Sequence, residues 1–308
     1  MTNKIVAIQG NHPSKLNPKT DTSVFLAHEI QNKNYKIFYY DPKELSVINS
    51  EVIASGFFIK FDYKDKNFFK ILKKQKLALT KCKFILIRQD PPFNLEYISA
   101  TYILDTIKDK VKILNNPTSI RNISEKLYSV RYQKFMPSTI FTQNISEIKN
   151  FFKTHKKVII KPIHSYGGND IHLLNRFNSK FINQFIKKHD HIMCQKFLPK
   201  INKGDKRVFL INGKVCGAIS RVPKQGSFLS NMSKGAKPIS IKLTKTEKKI
   251  SKLIAKDLKK ENIFFAGIDF IDQKLNGDIN VTSPTGLKTL NDLSGINLAK
   301  TFWKELKA

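Results

Sequence analysis

The stretch Gly267-Ile268-Asp269-Phe270-Ile271, followed by Gly277-Asp278-Ile279-Asn280-Val281-Thr282-Ser283-Pro284-Thr285-Gly286, reads as two adjoining strands in which polar side chains interrupt apolar ones. Residues two apart in a strand share a face, so Asp278 and Asn280 project together. Asp269, on the preceding strand, can meet them across a hairpin. Two carboxylates and an amide oxygen on a rigid sheet make a set of hard oxygen donors suited to Mg²⁺ carrying nucleotide phosphates. The alternative is a surface hairpin with incidental Asp and Asn. Against it stands the general scarcity of both residues in strands.

Working outward, the 308 residues and 41% apolar content suit a globular protein with two or three subdomains. No apolar run approaches the roughly 20 residues needed to span a bilayer. Residues 1–10 read as a short first strand ending at Gly10, without the apolar stretch and cleavage site of a signal peptide. Cys82, Cys194 and Cys216 are odd in number and scattered, with no metal spacing, and read as reduced thiols of a cytoplasmic protein. The net charge of +31 suggests nucleic acid, but no nucleic-acid motif, basic tail or basic-aromatic patch accompanies it. Lysine is spread through the chain together with abundant Ile, Asn and Phe, the pattern of AT-rich codons. Neither nucleic acid nor membrane is therefore expected as a partner; a general attraction for anionic substrates remains. Of the 55 basic residues only six are Arg. Arg88, Arg121, Arg207 and Arg221 lie inside motif-like segments where a planar, bidentate donor has a use. Arg131 and Arg176 look like ordinary surface positions.

The organisation is α/β. Strands are expected at residues 5–8, 35–40, 84–88 and 111–115, and helices at 22–31, 68–77 and 96–109. That alternation describes an open, mainly parallel sheet, whose ligands bind beyond the carboxyl ends of its strands. Arg88, Asp90 and the Asp21-Thr22-Ser23 helix start are reasonable contacts, although Asp21 or Thr22 would equally serve as a helix cap and Asp90 as a turn residue. A helix is expected at 120–134, and a buried strand at 157–162 that places Lys161 near its end. The chain then runs into Ser165-Tyr166-Gly167-Gly168-Asn169, where paired glycines let backbone amides approach phosphate, or simply close a hairpin. From Met193 onward strands dominate until a closing helix at 295–306.

Taken together these segments resemble the prokaryotic type of glutathione synthase, a member of the ATP-grasp superfamily. The resemblance rests on Arg88-Gln89-Asp90-Pro91-Pro92-Phe93, Asn116-Pro117 through Glu125-Lys126-Leu127, and Val158-Ile159-Ile160-Lys161-Pro162. It continues through Gln195-Lys196-Phe197-Leu198-Pro199, Gly204-Asp205-Lys206-Arg207-Val208, Ser220-Arg221-Val222-Pro223 and the run from Asp278 to Thr285. It implies an N-terminal pre-ATP-grasp domain at 1–118 and an ATP-grasp domain at 119–308, divided into a nucleotide part (119–200) and a metal and substrate part (201–308). It implies ligation of γ-glutamylcysteine with glycine through an acyl phosphate, with ATP as co-substrate, Mg²⁺ or alternatively Mn²⁺ as the metal, and a homotetramer. By position, Lys126, Lys161, Gly167, Gly168, Gln195, Phe197, Leu198 and Asp205 would bind ATP, while Asp269, Asp278 and Asn280 would hold the metal. Arg207 and Arg221 would face the reacting carboxylate, and Arg88, Asp90, Asn231, Ser283 and Thr285 would hold the peptide. For any single lysine, a solvated surface charge is the plain alternative.

Four departures from the family pattern stand out. His164-Ser165 replaces an Asp-Gly ahead of the glycine pair, and Asp278 replaces the usual Glu. The hairpin from Asp272 to Gly277 is a residue longer. Leu229 stands where an Arg usually precedes Gly-Asn in a loop at 223–237, which is expected to close over the site. They leave open an ATP-grasp ligase of different specificity, or a nucleotide-binding protein of low turnover.

Overall fold

The computed structural model describes residues 4–63 and 67–308, so the first three residues of the expected opening strand lie outside it. Three sheets succeed one another along the chain. The first contains β1 (Ile5–Gln9), β2 (Lys36–Tyr40), β3 (Leu45–Ile48), β4 (Glu51–Phe61), β5 (Phe69–Ala78), β6 (Phe84–Ile87) and β7 (Lys112–Leu114). Its order is β3-β4-β2-β1-β6-β7, with β5 beside β4. β1, β2, β6 and β7 are parallel, as expected. β4 runs antiparallel to β2, β3 and β5, so the sheet is mixed, with its parallel half beside the site.

The helix expected at 68–77 is the strand β5. Its apolar residues are spaced ambiguously among lysines, and pairing along β4 from Ile53↔Ala78 to Phe61↔Phe69 decides the matter. The helix α1 (Thr22–Gln31) begins as the sequence suggests, with the Asp21 side chain capping the Val24 N–H at 2.8 Å. After α2 (Leu95–Asp105), the helix expected at 120–134 is instead α3 (Pro117–Asn122), a break, and a 3₁₀ segment at Leu127–Phe135. At the break the chain joins the third sheet, the Glu125 carbonyl accepting from Ile279 N–H at 2.9 Å. That bond draws Glu125 and Lys126 under the site.

The second sheet contains β8 (Thr139–Thr142), β9 (Val158–Pro162), β10 (His172–Leu174) and β11 (Ile192–Lys196), in the order β10-β9-β11-β8. Two amphipathic helices, α4 (Ile145–His155) and α5 (Ser179–His189), close its core around Ile148, Ile182 and Phe185. The third sheet has the order β14-β13-β12-β15-β16. Its members are β12 (Asp205–Ile211), β13 (Lys214–Val222), β14 (Lys237–Ser240), β15 (Phe265–Ile271) and β16 (Lys274–Asn280). Strands do not dominate this region as fully as expected. The 16-residue α6 (Lys245–Lys260) starts at a reciprocal Thr244–Glu247 cap, and α7 (Leu287–Ser294) and α8 (Leu298–Glu305) follow.

The first and third sheets are welded together. Asn115 donates to the carbonyls of Phe265 and Val281 at 2.7 and 2.6 Å and accepts from the N–H groups of Phe264 and Phe265. Trp303 of α8, fully buried, donates its indole N–H to the Leu26 carbonyl of α1 at 2.9 Å. One apolar core therefore runs from Val6 and Ile8 through Trp303 to Phe209 and Phe265. The cleft between the sheets keeps a fixed wall on that side.

Candidate active site

A cavity of about 920 Å³ opens where the three sheets meet, and the expected site residues line it except Arg88 and, of the helix start, Thr22 and Ser23. Its floor is a buried ionic lattice on β12, β13 and β15. Arg207 and Asp269 are register partners on adjacent strands, and the Arg207 Nε and Nη2 donate to the two Asp269 oxygens, the latter at 2.8 Å. Arg221 donates to Asp269 Oδ2 at 2.8 Å and grips Asp205 bidentately, with Nε to Oδ1 at 2.7 Å. Burial alone would raise the Asp269 carboxyl, but the two guanidinium groups hold it well below the usual carboxylate range. Asp205 and Asp269 likewise outweigh the effect of burial on Arg221 and hold it firmly charged. Bidentate pairing fixes both arginines before any ligand arrives.

Beside this floor, Asp278 and Asn280 share one face of β16, as their spacing requires. The Asp278 carboxylate lies 3.7 Å from Lys126 Nζ and 3.5 Å from Lys161 Nζ. Lys161 also donates to the Asn276 carbonyl at 3.1 Å. Asp269 reaches the cavity, but a bulge between Ile268 and Phe270 breaks the register with β16, and its nearest partners are the two arginines. Among the described residues no three His, Cys, Asp or Glu side chains gather into a closed cage. Two carboxylates and an amide oxygen facing an open cavity fit a hard cation that completes its shell with phosphate oxygens and water.

The glycine pair forms the roof of this corner. Gly167 and Gly168 have φ of +64° and +78°, a conformation that disfavours side chains, and Lys126 Nζ donates to the Ser165 carbonyl at 2.8 Å. Gln195, Phe197 and Leu198 line the far side with Ile159 and Ile201, giving a mostly apolar slot. The Gln195 side-chain amide donates to Thr139 Oγ1 at 3.0 Å, and its backbone lies within the sheet between β8 and β9.

At the N-terminal end, Asp90 accepts from Asn11 Nδ2 at 2.9 Å, and burial pushes its carboxyl up in spite of Arg88. Arg88 lies behind the wall. Its Nε donates to Ser23 Oγ at 3.0 Å, while the Ser283 hydroxyl donates to its carbonyl at 3.3 Å. Arg121 serves the scaffold, clasping Asp105 at 2.8 Å with its guanidinium 4.1 Å from the Tyr102 ring centre. Asn231 and Leu229 lie on the loop that covers the cavity, and Thr285 stands exposed at its mouth.

Sequence reasoning gave no role to Glu125, which also lines the cavity. Burial raises its carboxyl, with Asp278 and Asp269 adding to the rise while Lys126 and Arg207 oppose it. Its adjacency to Lys126 in the motif was the available signal.

The descriptions that match are the prokaryotic glutathione synthetase N-terminal domain, over residues 5–121, and its ATP-grasp domain, over 125–295. Glutathione synthetase of Bradyrhizobium diazoefficiens is 33% identical over 306 residues, covering 98% of this chain and 97% of that protein. That of Buchnera aphidicola subsp. Baizongia pistaciae is 35% identical over 293 residues, covering 93% and 90%. The chain belongs to the prokaryotic glutathione synthetase family. Among solved structures it is similar to the D-cycloserine synthetase DcsG, with a TM-score of 0.66 at 9% identity over 98% of this chain and 99% of that one. The ATP-grasp ligase PsnB, complexed with a phosphomimetic variant of its minimal precursor, Mg and ADP, gives a TM-score of 0.65 at 12% identity, covering 100% and 98%. At such identities these establish the fold alone, which is ATP-grasp. As a member of the glutathione synthetase family, the chain is an ATP-dependent ligase.

Proposed function

We propose that this chain joins the cysteinyl carboxylate of γ-glutamylcysteine to the amine of glycine, with ATP cleaved to ADP and phosphate. A carboxylate is a poor electrophile, so its oxygen first takes the γ-phosphoryl group; the amine then attacks the acyl phosphate and phosphate leaves. Such chemistry needs positioning and charge neutralisation more than a protein nucleophile. The observation that supports the reading best is the lattice of Arg207, Arg221, Asp205 and Asp269, two buried guanidinium groups fixed by two carboxylates on the floor of the cavity. Arg207 and Arg221 would orient the carboxylate and the transferred phosphoryl group. Lys126 and Lys161 would bind the triphosphate as point charges, with the Gly167-Gly168 amides above it. Gln195, Phe197 and Leu198 would hold adenine. Asp269, Asp278 and Asn280 would hold Mg²⁺, for which Mn²⁺ could substitute, supplying neutralisation of phosphate charge. Arg88, Asp90, Asn231, Ser283 and Thr285 would position the dipeptide, Arg88 through Asp90 and the Ser283 hydroxyl. The reading divides the chain into a substrate-side unit at 1–118 and a nucleotide and metal unit at 119–308, acting as a cytoplasmic homotetramer.

ADP release tests the reading. It should be rapid only with ATP, Mg²⁺, γ-glutamylcysteine and glycine together, and should fall to background when any one is omitted. Equal ADP release without the dipeptide would overturn it.

A further inference from the structure

The loop at 223–236 carries two lysines that are used differently. The Lys224 stem lies across Gly235, where an added Cβ would collide with it, so Lys224 packs within its own loop. Lys234 lines the cavity and crosses to the opposite rim, where its Nζ donates to Asn169 Oδ1 at 2.8 Å. Asn169 directly follows Gly167 and Gly168. The rims touch elsewhere too. A Cβ at Gly168 would strike the Asn231 side chain, and one at Gly167 would lie 4.0 Å from Ser233 Oγ.

Charge around the glycine loop is distributed unevenly. Lys126 and Lys161, beneath it, share the carboxylate of Asp278. Lys234, above it, rests on a neutral amide and forms no ion pair among the described residues. Of the loop residues that face the cavity, from Phe228 to Lys234, it alone is cationic; Leu229 contributes an apolar side chain. An ammonium resting on a neutral acceptor gains by exchanging it for a phosphate oxygen, because the new hydrogen bond joins two opposite charges.

We infer that Lys234 is the cation with which the covering loop grips the terminal phosphates of the nucleotide, Asn169 holding it at the rim until the nucleotide arrives. This rests on reading the cavity as the ATP site. The test is calorimetric titration of ATP and of AMP, each with Mg²⁺, into the wild type, Lys234→Met and Lys234→Arg, beside steady-state kinetics. Lys234→Met should weaken ATP roughly tenfold, the scale of one lost charged hydrogen bond, and leave AMP unchanged. It should raise the KM for ATP more than it lowers kcat. Lys234→Arg should stay within about threefold of the wild type, since it keeps the charge. Adding Leu229→Arg to Lys234→Met should regain part of the loss. Wild-type ATP affinity in Lys234→Met, or equal weakening of ATP and AMP, would overturn the inference while leaving the ATP site intact. A wild-type protein that binds neither nucleotide would overturn both.

Discussion

Asp278 reaches into the cavity from β16 one methylene shorter than the glutamate usual in the family, and it faces Lys126 and Lys161 within 4 Å. Asp278→Asn removes a charge from the proposed metal shell and leaves two lysines uncompensated. Turnover should fall by orders of magnitude while circular dichroism reports the same fold; wild-type turnover would remove Asp278 from the site. Asp278→Glu should retain activity. At this scale the sequence was most informative where residue types were rare. Six arginines among 55 basic residues made Arg207 and Arg221 visible, whereas Lys234 was hidden among the lysines and Glu125 beside a more conspicuous neighbour. Arg88 shows the opposite limit. A strand end marks the carboxyl edge of a sheet, but the packing of Ser23 decides on which side of the wall its guanidinium lies.

The junction of α2 and α3 depends on Asp105, which accepts from Arg121 Nη2 at 2.8 Å and from Thr118 Oγ1 at 2.7 Å. Burial opposes ionisation here, but Arg121, Thr118 and Lys108 prevail and lower its carboxyl. A depressed folded-state value gives stability that is present above the unfolded value near 3.8 and lost as pH falls through the folded value. Asp105→Asn should therefore be less stable at neutral pH by about 1 kcal/mol or less, the scale of partly exposed pairs. Its denaturant midpoint should converge towards that of the wild type as pH falls below 3.8 and through the lowered folded-state value. A gap that does not narrow as pH falls through that range would show that the loss is not electrostatic. The covering loop belongs to the same scale. Limited proteolysis should cut first within 223–236, and ATP with dipeptide should protect it; cleavage indifferent to ligands would exclude a lid. Elements whose signals are local, such as α1 with its Asp21 cap, were legible in sequence. β5 was not, because its identity comes from β4 alongside it. Nor was the break before Lys126, because it is set by the Ile279 N–H of β16, remote in sequence, donating to the Glu125 carbonyl and not by any signal in its own residues.

At the scale of the molecule, the first and third sheets form one wall because α8 packs its only tryptophan against α1. Trp303→Ala should cost about 3–5 kcal/mol, as large aromatic truncations in cores do, read from denaturant midpoints. Trp303→Phe should recover part of it. A loss below 1 kcal/mol would mean that the two sheets hold together without this residue. With the wall fixed, the proposed reaction would bring the carboxylate, the triphosphate and the amine together in the cavity, with the carboxylate phosphorylated there. The most direct measurement of that step uses γ-glutamylcysteine carrying ¹⁸O in the cysteinyl carboxylate, incubated with ATP, Mg²⁺ and glycine, with both products analysed by mass spectrometry. The expected products are glutathione and inorganic phosphate that has acquired one labelled oxygen from the carboxylate. Phosphate without the label, or ADP release that yields no glutathione, would contradict the proposed reaction.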